Sequence, residues 1–135
     1  MMISLILASA LNATTGTLAP KGTPATTGSV AVSSGGRFEV QPGDQLTVGG
    51  SVTVAGTLDL IAAPALPAGS YILINKTSPG AITGTFIGLA EGSVFTEDAN
   101  TFQITYQGGD GNDLALIKLT PIQVWRYTNY GSILD

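Results

Sequence analysis

The 135-residue chain has no cysteine and no histidine, and only 10% of its residues are charged. Without cysteine there is no disulfide framework and no thiolate metal site. Without histidine there is neither an imidazole ligand nor the side chain most often used as a general base. Most familiar hydrolytic mechanisms are thereby excluded by inventory. The five cations, Lys21, Arg37, Lys76, Lys118 and Arg126, are scattered along the sequence. No basic groove is available to neutralise phosphates, so nucleic acid is not an expected partner. A membrane-spanning helix needs about 20 apolar residues in a row, and the chain has no such run, so no transmembrane segment is expected.

What the chain has is glycine, 18 residues of it, with abundant threonine and serine and a mean hydropathy of +0.35. Disorder would require low hydrophobicity or high net charge, and the formal charge is only −4. The chain is therefore expected to fold, at a length that supports one core. A cysteine-free, acidic, Thr/Gly-rich composition fits a bacterial secreted or surface protein, and an extracellular or cell-surface location is expected. Ala8-x-Ala10 resembles a secretory cleavage site, but no cation precedes Lys21 and the apolar run is short. Residues 1–15 read as a first strand or cap, with a degenerate signal segment as the alternative; the apolar Ile3–Leu7 is the candidate strand.

Between Gly28 and Ile61 apolar residues recur in i, i+2 pairs: Val30/Val32, Phe38/Val40, Leu46/Val48, Val52/Val54 and Leu58/Leu60. Each pair is a short strand with one apolar face. The separators, such as Ser33-Ser34-Gly35-Gly36 and Gly49-Gly50-Ser51, are too small and permissive for helix. Successive pairs lie six or eight residues apart, which suits corners rather than long loops. An all-β fold follows, with a short parallel β-solenoid over residues 16–119 as the leading architecture and a β-sandwich or jelly roll as the alternative.

Ala62–Ser70 carries two prolines and reads as a loop or wide corner. Tyr71–Ile74, apolar on both faces, reads as a strand covered on both sides. Further strands are expected near Ile82–Phe86, Val94–Thr96, Thr101–Tyr106 and Asp113–Lys118, the last two forming a hairpin across Gly108–Asn112. Residues 120–135 read as a capping helix or a linker. Thr120-Pro121-Ile122-Gln123 forms a capping-box start, and a helix from Pro121 to about Asn129, stopped by Gly131, would turn Ile122, Trp125 and Tyr130 onto an open end of the β structure.

Gly16-Thr17-Leu18-Ala19-Pro20-Lys21-Gly22-Thr23-Pro24, then Gly84-Thr85-Phe86-x-Gly88-Leu89-x-Glu91-Gly92 and Phe102-x-Ile104-x-Tyr106-x-Gly108-Gly109-Asp110-Gly111-Asn112-Asp113, occur in this order. Over Asn12–Leu119 they resemble the end of an array of autotransporter-associated β-strand repeats from large bacterial surface proteins. The resemblance implies a right-handed parallel β-helix used as a stalk. Lys21 interrupts the usual Pro-Gly, the array is short and no translocator barrel follows, so the chain reads as a fragment, a shortened product or a minimal member. The segment Val124–Gly131 resembles a linker that precedes calcium repeats or a sorting anchor in related surface proteins.

Several groups invite chemical readings. Gly108–Asp113 opens like a calcium nonapeptide, yet it occurs once and has Ala115 where a large apolar residue belongs, so it reads as a hairpin reversal. Glu91, Glu97 and Asp98 are the carboxylates a glycoside hydrolase would need, but acids beside Gly92 or Asn100 are more simply solvated turn residues. Trp125, Tyr127 and Tyr130 are the candidate sugar-stacking set, against packing of the lone tryptophan. Asn12-Ala13-Thr14 and Asn75-Lys76-Thr77 match the glycosylation acceptor, a frequent chance pattern in Thr-rich sequence. No catalytic residue, metal ligand or cofactor is assigned. The expected role is a non-enzymatic scaffold in adhesion or self-association, with head-to-tail copies, a surface glycan or a protein as partner; a carbohydrate-binding β module is the alternative.

Overall fold

The computed structural model describes residues 2–3, 10–13, 16–61, 65–97 and 99–131. Along these the strands are β1 (Met2–Ile3), β2 (Ala10–Ala13), β3 (Thr17–Leu18), β4 (Ala25–Thr26), β5 (Ser29–Val32), β6 (Arg37–Val40), β7 (Leu46–Val48), β8 (Val52–Val54) and β9 (Thr57–Leu60). They continue as β10 (Gly69–Lys76), β11 (Val94–Glu97), β12 (Asn100–Gly108) and β13 (Asp113–Lys118), and a helix, α1 (Pro121–Tyr130), follows. The fold is all-β with one short helix near the C-terminus.

Among the described residues the strands form three sheets. One runs β1-β3-β6-β9 and a second β2-β5-β8, each with parallel neighbours. The third runs β11-β12-β13-β10-β7-β4; it is parallel from β4 through β10 and antiparallel from there to β11. From β3 to β10 the chain visits the first, third and second sheets in unbroken rotation. Leu18 pairs with Phe38 and Phe38 with Leu58, residues 18, 38 and 58 standing one above another. Val30 pairs with Val52 and Val32 with Val54 in the second sheet, and Leu46 with Ile74 in the third. These i, i+2 pairs carry the core, because alternate side chains of a strand share a face.

The corners are as short as the sequence spacing requires. Gly50 N–H donates to Gly28 O at 2.9 Å, and a Cβ on Gly50 would lie 2.6 Å from that carbonyl, so only glycine lets the two corners stack. The strand expected over Ile82–Phe86 is absent: Thr83 makes one isolated bridge to Thr53 and Phe86 another to Leu89. Gly84 breaks the run with φ +84°, and a Cβ there would collide with Val54 O. The segment instead delivers Phe86 onto Phe38, ring centroids 6.1 Å apart, with the Tyr106 ring tilted against Phe86 at 6.4 Å.

The other sequence expectations divide. Tyr71–Ile74 lies within β10, flanked by β7 and β13, with Leu73 and Ile74 fully buried. Of the expected Ile3–Leu7 strand only Ile3 falls within the described residues, as do only 65–70 and 61 around the Pro-rich corner. The helix has the expected capping box and the left-handed stop at Gly131. It does not turn its apolar side chains onto the β structure, since none of its residues is buried and Ile122, Trp125 and Tyr130 are 52%, 50% and 71% exposed. Its boundaries come from local capping, and capping does not specify a packing partner.

Phe38→Ala is expected to destabilise the fold by about 3–5 kcal/mol, the usual cost of emptying a buried aromatic site. Glu39→Ala, on the outward side of the same strand, should change stability by about 0.5 kcal/mol or less. Urea unfolding midpoints of the two variants check the contrast.

Candidate functional site

The densest polar chemistry sits where the parallel part of the third sheet meets the C-terminal hairpin. Lys76, the last residue of β10, is paired with Val48 on the inward side and is 2% exposed. A buried ammonium is tolerated only if its donors are satisfied. Lys76 Nζ donates to Ser78 O at 3.1 Å, Pro79 O at 2.9 Å and Gly80 O at 2.8 Å. Asn112 Nδ2 donates to two of those same oxygens, Ser78 O at 2.8 Å and Gly80 O at 3.1 Å. Asn112 Oδ1 is buried with no hydrogen-bond partner. Beside this clamp lies a cavity of about 530 Å³ whose wall includes Thr77, Gly80, Asp110 and Asn112.

Asp113 completes the junction. Its Oδ1 accepts from Lys76 N at 2.9 Å, tying β13 to the end of β10. Burial pushes its carboxyl above the usual aspartate range; the Lys76 N–H opposes that shift and the neighbouring Asp110 charge adds to it. The Gly108–Asp113 segment is the reversal between β12 and β13, closed by Gly111 N–H to Gly108 O at 2.8 Å. Its acids are thus engaged as turn and junction groups. Among the described residues no three His, Cys, Asp or Glu side chains are grouped as a metal site.

Glu91 also holds backbone. Its Oε1 accepts from Tyr106 N at 2.7 Å, beside the place where the β12–β13 register shifts. Tyr106 Oη donates to Leu89 O at 2.6 Å and accepts from Phe86 N at 2.9 Å, so the Phe86–Glu91 segment is strapped to β12 at three points. Desolvation raises the Tyr106 phenol above its ordinary value, opposed by the Phe86 N–H and reinforced by Glu91. Glu97 pairs with Asn100 at the far end of the same ribbon. Asn100 and Tyr106 are six residue steps apart along β12, which puts the two acids about 20 Å apart, whereas carboxylates acting across a glycosidic bond stand about 5–9.5 Å apart. Asp98 lies outside the described residues.

On α1 the Trp125 and Tyr130 rings meet edge to face, centroids 5.5 Å apart at 81°, so the pair presents one flat face rather than a continuous platform. Tyr127 is 39% exposed. Asn75, in the second glycosylation pattern, is half-buried within β10. Lys76 and Tyr106 carry most of the polar geometry, and neither is singled out by the sequence reading. The signal for Lys76 is its place in phase with Ile72 and Ile74, which predicts an inward-pointing cation. Comparison with known protein families, curated proteins and solved structures finds no match.

Tyr106→Phe keeps the ring contact but strands the buried Phe86 N–H, at a cost of about 1–3 kcal/mol readable in urea unfolding. For Asp113 the folded state holds the proton more tightly than the unfolded chain. The stability contributed there is greatest below the ordinary aspartate range and declines as pH rises through the raised pKa. Asp113→Asn retains an acceptor for Lys76 N–H and should flatten that decline above about pH 4, measured as unfolding midpoint against pH.

Proposed function

We propose that the chain is a non-enzymatic structural module of a bacterial secreted or cell-surface protein, a short parallel β-solenoid acting as scaffold or stalk in adhesion or self-association. The observation that carries this reading is the unbroken rotation of β3 through β10 among three sheets, with residues 18, 38 and 58 in one paired column. Each circuit is then a coil, and stacking buries a stripe that no single coil could bury alone. The resemblance to autotransporter-associated β-strand repeats, with the antiparallel hairpin as the end of the array, supports the same assignment. The principal carboxylates favour it too: Asp113 accepts from Lys76 N and ties the hairpin to β10, and Glu91 accepts from Tyr106 N and ties the segment before β11 to β12.

In this reading shape is the contribution. β9 and β4 are edge strands of their sheets, and unpaired backbone on an edge is a template for another strand. Head-to-tail stacking of copies would extend the coil column. Small-angle scattering over a range of protein concentrations tests this: particles that lengthen at constant cross-section are expected. A compact monomer at every concentration overturns self-association.

A further inference from the structure

We propose that Lys76 and Asn112 are joined by an intramolecular amide bond, formed when the lysine side-chain amine attacks Cγ of the asparagine amide and ammonia leaves. Three observations converge on this pair. The antiparallel register that sets Ile74 opposite Leu114, carried two residues further, sets Lys76 opposite Asn112, and the Asp113 bond to Lys76 N holds the strands together there. The reacting groups share binding partners: Nζ and Nδ2 both donate to Ser78 O and to Gly80 O. They can therefore be no farther apart than two hydrogen bonds laid end to end. Lys76 is buried, so the amine has little freedom to sample other positions.

The chemistry balances without an oxidant or cofactor. The Lys76 ammonium releases a proton to the adjoining cavity, where Asp110 lies on the wall. The freed lone pair adds to Asn112 Cγ, and the tetrahedral adduct collapses by breaking the Cγ–Nδ2 bond. The departing ammonia takes up the proton and leaves through the cavity as ammonium. One carbon–nitrogen bond forms, one breaks, and the new amide is neutral. The reaction is needed only once per molecule, and partners held side by side react as if at very high concentration. The product is a covalent staple between β10 and the hairpin in a chain whose lack of cysteine denies it any disulfide.

Intact-mass spectrometry of the folded full-length chain, followed by protease digestion, tests the bond. The expected result is a mass one ammonia below that of the sequence, together with a branched peptide joining the Lys76 and Asn112 segments. Lys76→Arg and Asn112→Ala should each restore the full sequence mass. Bond formation should speed up at mildly alkaline pH, where more amine is present. A folded chain that stays at full mass after mildly alkaline incubation overturns the proposal. So does an ammonia deficit without the branched peptide, the result expected of a succinimide at an asparagine.

Discussion

The inward column is the constraint on which the rest of the structure depends. Parallel strands lie about 4.8 Å apart, so side chains pointing inward from successive strands must stand almost directly over one another. Leu18, Phe38 and Leu58 do so, and circuits stacked in this way need corners that approach as closely as the strands do. That is why Gly50 sits against Gly28, and why the outward positions remain free to be Thr, Ser, Arg37 or Asp59. The Arg37–Asp59 ion pair, at 3.4 Å with both side chains well exposed, adds little beside this burial.

A column of this kind has to stop somewhere, and the structure stops it by reversing strand direction. β10 takes β7 in parallel on one side and β13 antiparallel on the other, so the next layer is a hairpin rather than another circuit. The two hydrogen-bonding patterns differ in spacing and slant, which leaves backbone groups at the seam needing other partners. Asp113 supplies the acceptor for Lys76 N there, while Glu91 does the same for Tyr106 N at the β12–β13 register shift. The Lys76–Asp113 contact is therefore a consequence of the change in pairing. The same inward column runs from Thr26 through Val48 to Lys76, and each polar member of it finds a backbone partner within a few residues: Thr26 Oγ1 accepts from Gly28 N, and Lys76 Nζ holds the Ser78–Gly80 carbonyls.

What was legible in the sequence follows from which forces are local. The Val30/Val32 and Phe38/Val40 doublets show strand and face together, because a period of two is both at once. The reversal at Gly108–Asn112 is legible for the same reason: Gly, Asp and Asn permit the turn by their own backbone preferences. Ile82–Phe86 misleads because its alternation is real, while Gly84 takes a left-handed φ to pass beneath Val54, a contact with a residue thirty positions away. Glu91 misleads similarly, since its partner on β12 is fifteen residues distant and fixed only once the register shift exists.

The helix separates the two kinds of information most sharply. Thr120 and Gln123 satisfy each other's backbone N–H, Pro121 needs no donor, and Gly131 N–H closes onto Tyr127 O, all within twelve residues. Those contacts place both ends of α1 without reference to the sheets. Nothing in them specifies where Ile122 or Trp125 should point, and the expected seat on the β structure does not exist. A ten-residue helix is short of the roughly 12–15 residues at which isolated helices become even marginal in water. The caps, and the Trp125–Tyr130 contact across its last turns, are thus what the helix has in place of a core.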